Sequence, residues 1–144
     1  MVLWFVACAV LGAWSVLRDA NFDYRLIAFG ALVPDALDAV VFQHRALAHT
    51  LVFAVGSLIV VMLATVNRRS VRRHLIALPI GFLAHLVLDA VWADQALFWW
   101  PGFGDWGATS IVPPLPWLVI REALGVVAAF AVFRMWRAGK LSPC

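Results

Sequence analysis

Charge is scarce in this chain. Only 13% of its 144 residues are Asp, Glu, Lys or Arg, against about 25% in a typical soluble domain. Apolar residues make up 65%, where about 45–50% is usual, and the mean hydropathy is +0.93. Together these departures exclude an ordinary water-soluble globule and predict a membrane protein. Cysteine is nearly absent too. Cys8 lies in the first apolar run and Cys144 is the last residue, so no CxxC site or disulfide framework exists. No long linker, repeat or low-complexity stretch divides the chain, and its length holds one domain. The net charge of +3 is no nucleic-acid signature, because the basic residues sit in short loops beside apolar runs.

The stretch Met1–Leu17 has no Lys or Arg ahead of its apolar run, and no small-residue cleavage site follows it. It is therefore expected to be a retained helix rather than a signal peptide. A hydrocarbon core of ~30 Å takes about 20 helical residues. On that measure the sequence predicts an all-α, polytopic transmembrane bundle of about five spans. They fall near 2–17, 24–42, 50–66, 74–93 and 115–136. The second is interrupted by Pro34, which can bend a helix, while Leu51 to Val66 carries no charge. Arg18, Arg25, Arg68, Arg69, Arg72, Arg73, Arg134, Arg137 and Lys140 then share one side. The positive-inside rule makes that side cytoplasmic and puts the N-terminus outside. A bacterial or archaeal cytoplasmic (inner) membrane is the expected location.

Against this background a handful of polar residues stand out. An ionised side chain at the middle of a membrane helix costs about 2.5–3.5 kcal/mol to insert. Such groups persist where they meet one another, a metal or a water-filled cavity. His85 lies eleven residues past His74, about 16 Å along a helix, and Asp89 about 6 Å further. Asp35 and Asp38 lie about as far along the second span, and His44 and His49 cap the outer ends of spans two and three. His85 and Asp89 are four apart, and Asp35 and Asp38 three apart, so each pair shares a helix face. Asp35, His49, His85 and Asp89 offer oxygen and nitrogen donors suited to zinc, manganese or iron. The competing account is structural, since His–Asp hydrogen bonds can join membrane helices without any metal.

Other residues have narrower readings. Arg45 and Arg121 are candidate clamps for a phosphate, because a guanidinium stays charged and binds it bidentately. Arg45 can equally be an interfacial snorkelling residue, and Arg121 can pair with Glu122 or an aspartate. Asp23 is placed to cap the second span. His74 reads as a surface residue, and Asp94 and Asp105 as loop residues. Trp92, Phe98, Trp99, Trp100, Trp106 and Trp117 resemble an interfacial aromatic belt, in which Phe98 to Pro101 could form an entry for a lipid chain.

These pieces resemble the membrane-bound metal-dependent hydrolases of the YdjM-like group. The matching residues are Gly30 to Asp35 with Asp38, Arg45 with Ala48 to Leu51, His85 to Asp89, and Phe98 to Pro101. They cover roughly residues 22–101, although a further histidine usual near the N-terminus has no counterpart before His44. The group in turn is distantly similar to zinc-dependent phospholipase C and single-strand nucleases. That likeness implies a metal held by Asp35, His49, His85 and Asp89. The expected activity is hydrolysis of a phosphoester, plausibly lipid-linked, by a metal-activated water. Asp38 would be a ligand to a second ion or the general base, and Arg45 or Arg121 would neutralise phosphate charge. Two alternatives stay open at this point: a proton or metal-ion translocator, and a non-catalytic scaffold stabilised by metal.

Overall fold

A computed structural model describes residues 1–19, 22–102 and 114–141. The described residues contain helices and no strands. The helices are α1 (Val2–Leu17), α2 (Tyr24–Gly30), α3 (Val33–Val41), α4 (Leu51–Ala64), α5 (Arg69–Leu75), α6 (Ala77–Leu88), α7 (Gln95–Phe98) and α8 (Leu115–Arg137). Short 3-10 turns at Leu47–His49 and Val91–Ala93 complete them. The all-helical expectation holds. Asp105 and Trp106 lie outside the described residues.

Proline explains two of the breaks. Pro34 lacks the N–H that would bond the carbonyl of Gly30, and the chain turns at Ala31 and Leu32 between α2 and α3. The expected second span is thus two short helices rather than one. Pro79 likewise cannot bond the carbonyl of Leu75, and α5 gives way to α6 at Ile76. Asp23 caps α2 as expected, with Oδ1 accepting from the N–H of Arg25 and Leu26 at 3.2 and 3.3 Å. Thr50 caps α4 in the same manner through the N–H of Phe53 at 3.2 Å.

Two stretches, Arg69–Leu88 and Leu115–Arg137, are long and apolar enough to cross a membrane. Val2–Leu17 and Leu51–Ala64 are apolar but shorter. Length therefore supports two spans directly, where the sequence alone had predicted about five. The surface is unusual for a protein in water. Along α4 it exposes Val52, Val55, Ile59, Val60 and Leu63, and along α8 Val119, Leu124, Val126, Val127 and Phe130. Apolar faces of this extent are rare on soluble monomers.

Helix α1 packs along α8 and against α2 and α6, and α4 leans on α6. Phe5, Ala9, Val10, Tyr24, Ile27, Ala31 and Ala77 form one core cluster; Ala54, Phe82, Leu86, Val91 and Leu97 form another. The closest approach is between α2 and α6. A Cβ on Gly81 would lie 2.5 Å from the carbonyl oxygen of Ile27, and one on Gly30 would lie 2.5 Å from that of Leu78. Only glycine lets the two backbones touch, as small residues do between membrane helices.

Basic residues gather at one end. Arg73 pairs with Asp19 at 2.8 Å, His74 lies 3.7 Å from Asp23, and Arg18 and Lys140 both approach the Trp14 ring. The ends of α1, α5 and α8 and the start of α2 thus meet there. Asp35, Asp38, His49, His85 and Asp89 gather apart from these residues, where α3, the 3-10 turn after it and the end of α6 meet.

Candidate metal centre

One face of α3 grips one imidazole at both nitrogens. Asp35 and Asp38 share that face, and the 3-10 turn after the following loop delivers His49 between them. Asp38 Oδ2 accepts from His49 Nδ1 at 2.7 Å, and Asp35 Oδ1 lies 3.2 Å from His49 Nε2. Asp38 also organises the loop itself. It accepts the N–H of Ala46 at 2.6 Å and that of Ala48 at 3.1 Å. With its side chain 1% exposed, Asp38 has all its engagements inside the protein. Its oxygens thus accept from three N–H donors, two of the loop backbone and one of the His49 ring.

The second imidazole arrives from α6. His85 is fully buried, and its Nδ1 donates to the carbonyl of Ala31 at 2.7 Å. That acceptor exists because α2 ends there, since the last carbonyls of a helix have no partner within it. Phe5 covers the ring, with centroids 4.1 Å apart. His85 Nε2 then lies 3.2 Å from His49 Nε2 and 3.4 Å from Asp35 Oδ1.

The three atoms form a nearly equilateral triangle. A carbonyl can only accept, so His85 Nδ1 must carry hydrogen; the same holds for His49 Nδ1, which faces the carboxylate of Asp38. In the neutral rings both Nε2 atoms are consequently lone-pair donors, aimed at each other and at a carboxylate oxygen. One proton at the centre can be pointed at only one neighbour and leaves the third acceptor facing another. A divalent cation satisfies all three. Tetrahedral sites with bonds of about 2.0–2.1 Å have ligand edges of about 3.3–3.4 Å, and the observed edges of 3.2–3.4 Å agree. Imidazoles held through Nδ1 by a carboxylate and a backbone carbonyl are also how metal-bound histidines are usually oriented. Asp35, His49 and His85 form a cluster able to bind a metal ion.

Asp89, expected as the fourth ligand, is directed elsewhere. Its Oδ1 accepts from Arg121 at 2.9 Å, and its Oδ2 lies 2.5 Å from an Arg45 guanidinium nitrogen. Two cations from distant segments hold the carboxylate, one turn along from His85. The pairing is incomplete, since Asp89 Oδ2 and Arg45 Nε are buried without an aligned hydrogen-bond partner. Two guanidinium groups against one carboxylate leave a surplus positive charge beside the triad. Arg45 and Arg121 are therefore brought together, as anion binding requires, with Asp89 between them. Comparison with protein families, curated proteins and solved structures finds no match to this chain.

Of the remaining candidates, His44 is half-exposed and donates from Nδ1 to the carbonyl of Phe42. Trp92, Trp99 and Trp117 are exposed, as belt residues would be. The roles of the Ala31 carbonyl and of Phe5 were not visible in the sequence. The signals that could have found them are Pro34, which forces the break, and the pair Gly30 and Gly81.

Proposed function

We propose that this chain is a membrane-embedded, metal-dependent hydrolase of a phosphoester, related to the group its motifs resemble. The observation that carries the reading is the triangle of three lone-pair donors, each oriented from behind. Asp35, His49 and His85 would hold the ion, zinc by preference and manganese or iron as alternatives. Such an ion, when bound, lowers the pKa of water from 15.7 to about 7. The protein's own part is positional. Asp38 and the Ala31 carbonyl fix the two imidazoles, and Phe5 shields one of them. Arg45 and Arg121 face the charge that grows on a phosphoryl oxygen during displacement, and Asp89 keeps both from drifting.

A translocator would need polar side chains continuing toward the basic end. Among the described residues the buried polar groups are Asp38, His49, Thr50, Thr65, His85 and Asp89. Thr65 alone lies at the far end of α4, bonded to the Val61 carbonyl. Nothing joins it to the triad, so hydrolysis is the better-supported reading. Protein in detergent should cleave bis(p-nitrophenyl) phosphate, lose that activity to a chelator and regain it with zinc or manganese. Protein that carries no metal and cleaves no phosphoester under any added ion would end the proposal.

The orientation follows from the charges. We place the basic end in the cytoplasm and the triad toward the outer surface. A fluorescent protein fused to the C-terminus should then glow, and alkaline phosphatase at the same place should stay inactive. The opposite pair of results would invert the topology.

A further inference from the structure

We propose that the groove between α4 and α6 seats the alkyl chain of the substrate, which makes that substrate a single-headed, lipid-like phosphoester. This rests on the reading of Asp35, His49 and His85 as a hydrolytic centre. A cavity of about 390 Å³ opens between the two helices. Val52, Phe53, Gly56 and Val60 line one side, and Leu78 and Phe82 the other. Its one hydroxyl, that of Ser57, donates to the carbonyl of Ala54 at 2.7 Å. The wall therefore offers a ligand nothing polar. From Val52 to Val60 it runs about 12 Å along α4.

The order of groups along α6 supplies the occupant. Leu78, Phe82, His85 and Asp89 follow one another at helical spacings of four, three and four, so they form one stripe. The stripe passes from groove to metal ligand to the paired arginines. A molecule laid along it meets apolar wall, then the triad, then surplus positive charge, which is the order of chain, scissile phosphate and free phosphate oxygen. Phe82, whose ring touches that of Phe53 with centroids 5.3 Å apart, lines the groove one turn before His85. Thr50, which caps the turn bearing Phe53, directly follows His49.

Gly56 marks the middle of this space. A Cβ there would meet nothing within 4 Å, so no close approach demands glycine. Glycine in a helix interior costs about 0.5–1 kcal/mol relative to alanine. The room it leaves is the reason the structure offers for it.

The test uses the full-length protein in nanodiscs and dodecyl phosphate carrying a mid-chain diazirine. Photolysis should label α4 and α6 peptides, and excess unlabelled dodecyl phosphate should compete while dodecanol does not. Gly56→Phe should cut the labelling by about tenfold or more, the scale on which a crowded apolar pocket discriminates. Metal content should remain at the wild-type level in that variant, which shows the fold intact. Equal labelling in Gly56→Phe, labelling confined to α8, or equal competition by dodecanol would overturn the proposal, the last by showing bulk lipid in the groove. Failure of phosphoester cleavage bears on the hydrolase reading, while the labelling pattern judges the groove separately.

Discussion

Asp35→Asn protein should purify folded and without stoichiometric zinc, where the wild type is expected to hold one ion at Asp35, His49 and His85. The amide keeps the shape of the side chain and removes its negative charge, leaving two neutral imidazoles to face a divalent ion. Asp35 is the right residue to change because its side chain is 27% exposed, so little packing is lost. Metal analysis after gel filtration, with thermal unfolding measured alongside, decides the matter. His85→Ala should lose metal as well, but with a stability penalty. It leaves the Ala31 carbonyl without its donor, at about 1–3 kcal/mol for an orphaned buried group, and strips Phe5 of its ring contact. Full metal occupancy in both variants would show that the ion sits elsewhere and that the triangle does not hold it.

Asp38 should prove as important as a ligand while touching no ion. In Asp38→Asn the amide presents one acceptor where the carboxylate presented two. Its NH2 group must face at least one of the donors of Ala46, Ala48 and His49. Loss of a partner that orients a metal-bound histidine typically lowers metal affinity about 10–100-fold, and one buried donor left unpaired costs about 1–3 kcal/mol. Chelator competition reads the first effect and chemical unfolding the second. Asp38→Ala strands all three donors and should fail to give folded protein. Wild-type zinc affinity in Asp38→Asn would remove Asp38 from the centre altogether.

Face was legible in the sequence; partner was not. Spacing alone put Asp35 with Asp38 and His85 with Asp89, and both pairs do share a helix face. Which member of each pair meets the centre depends on residues far along the chain. Asp89 is claimed by Arg45 and Arg121, which lie 44 and 32 residues from it. Asp38 is claimed by the backbone of the loop eight and ten residues on. No local pattern encodes either claim. The second span shows the same division. Pro34 announced a bend, but the donor that the Ala31 carbonyl finds at that bend depended on α6 coming close enough to supply it. Helix count suffered for another reason: hydropathy averages over a window and does not register the stops at Ala31 and Ile76.

The contact between Gly30 and Gly81 fixes where His85 stands. His85 rides on α6 and leans on the end of α2, and at that crossing peptide groups meet peptide groups with no side chain to yield. Calcium prefers oxygen atoms at about 2.3–2.6 Å. It gathers about six to eight of them, whereas the triad offers one oxygen beside two imidazole nitrogens, the mixed set that zinc-like ions accept. Choice among ions thus falls to the donor atoms, while the glycine crossing keeps His85 from shifting to suit a different one.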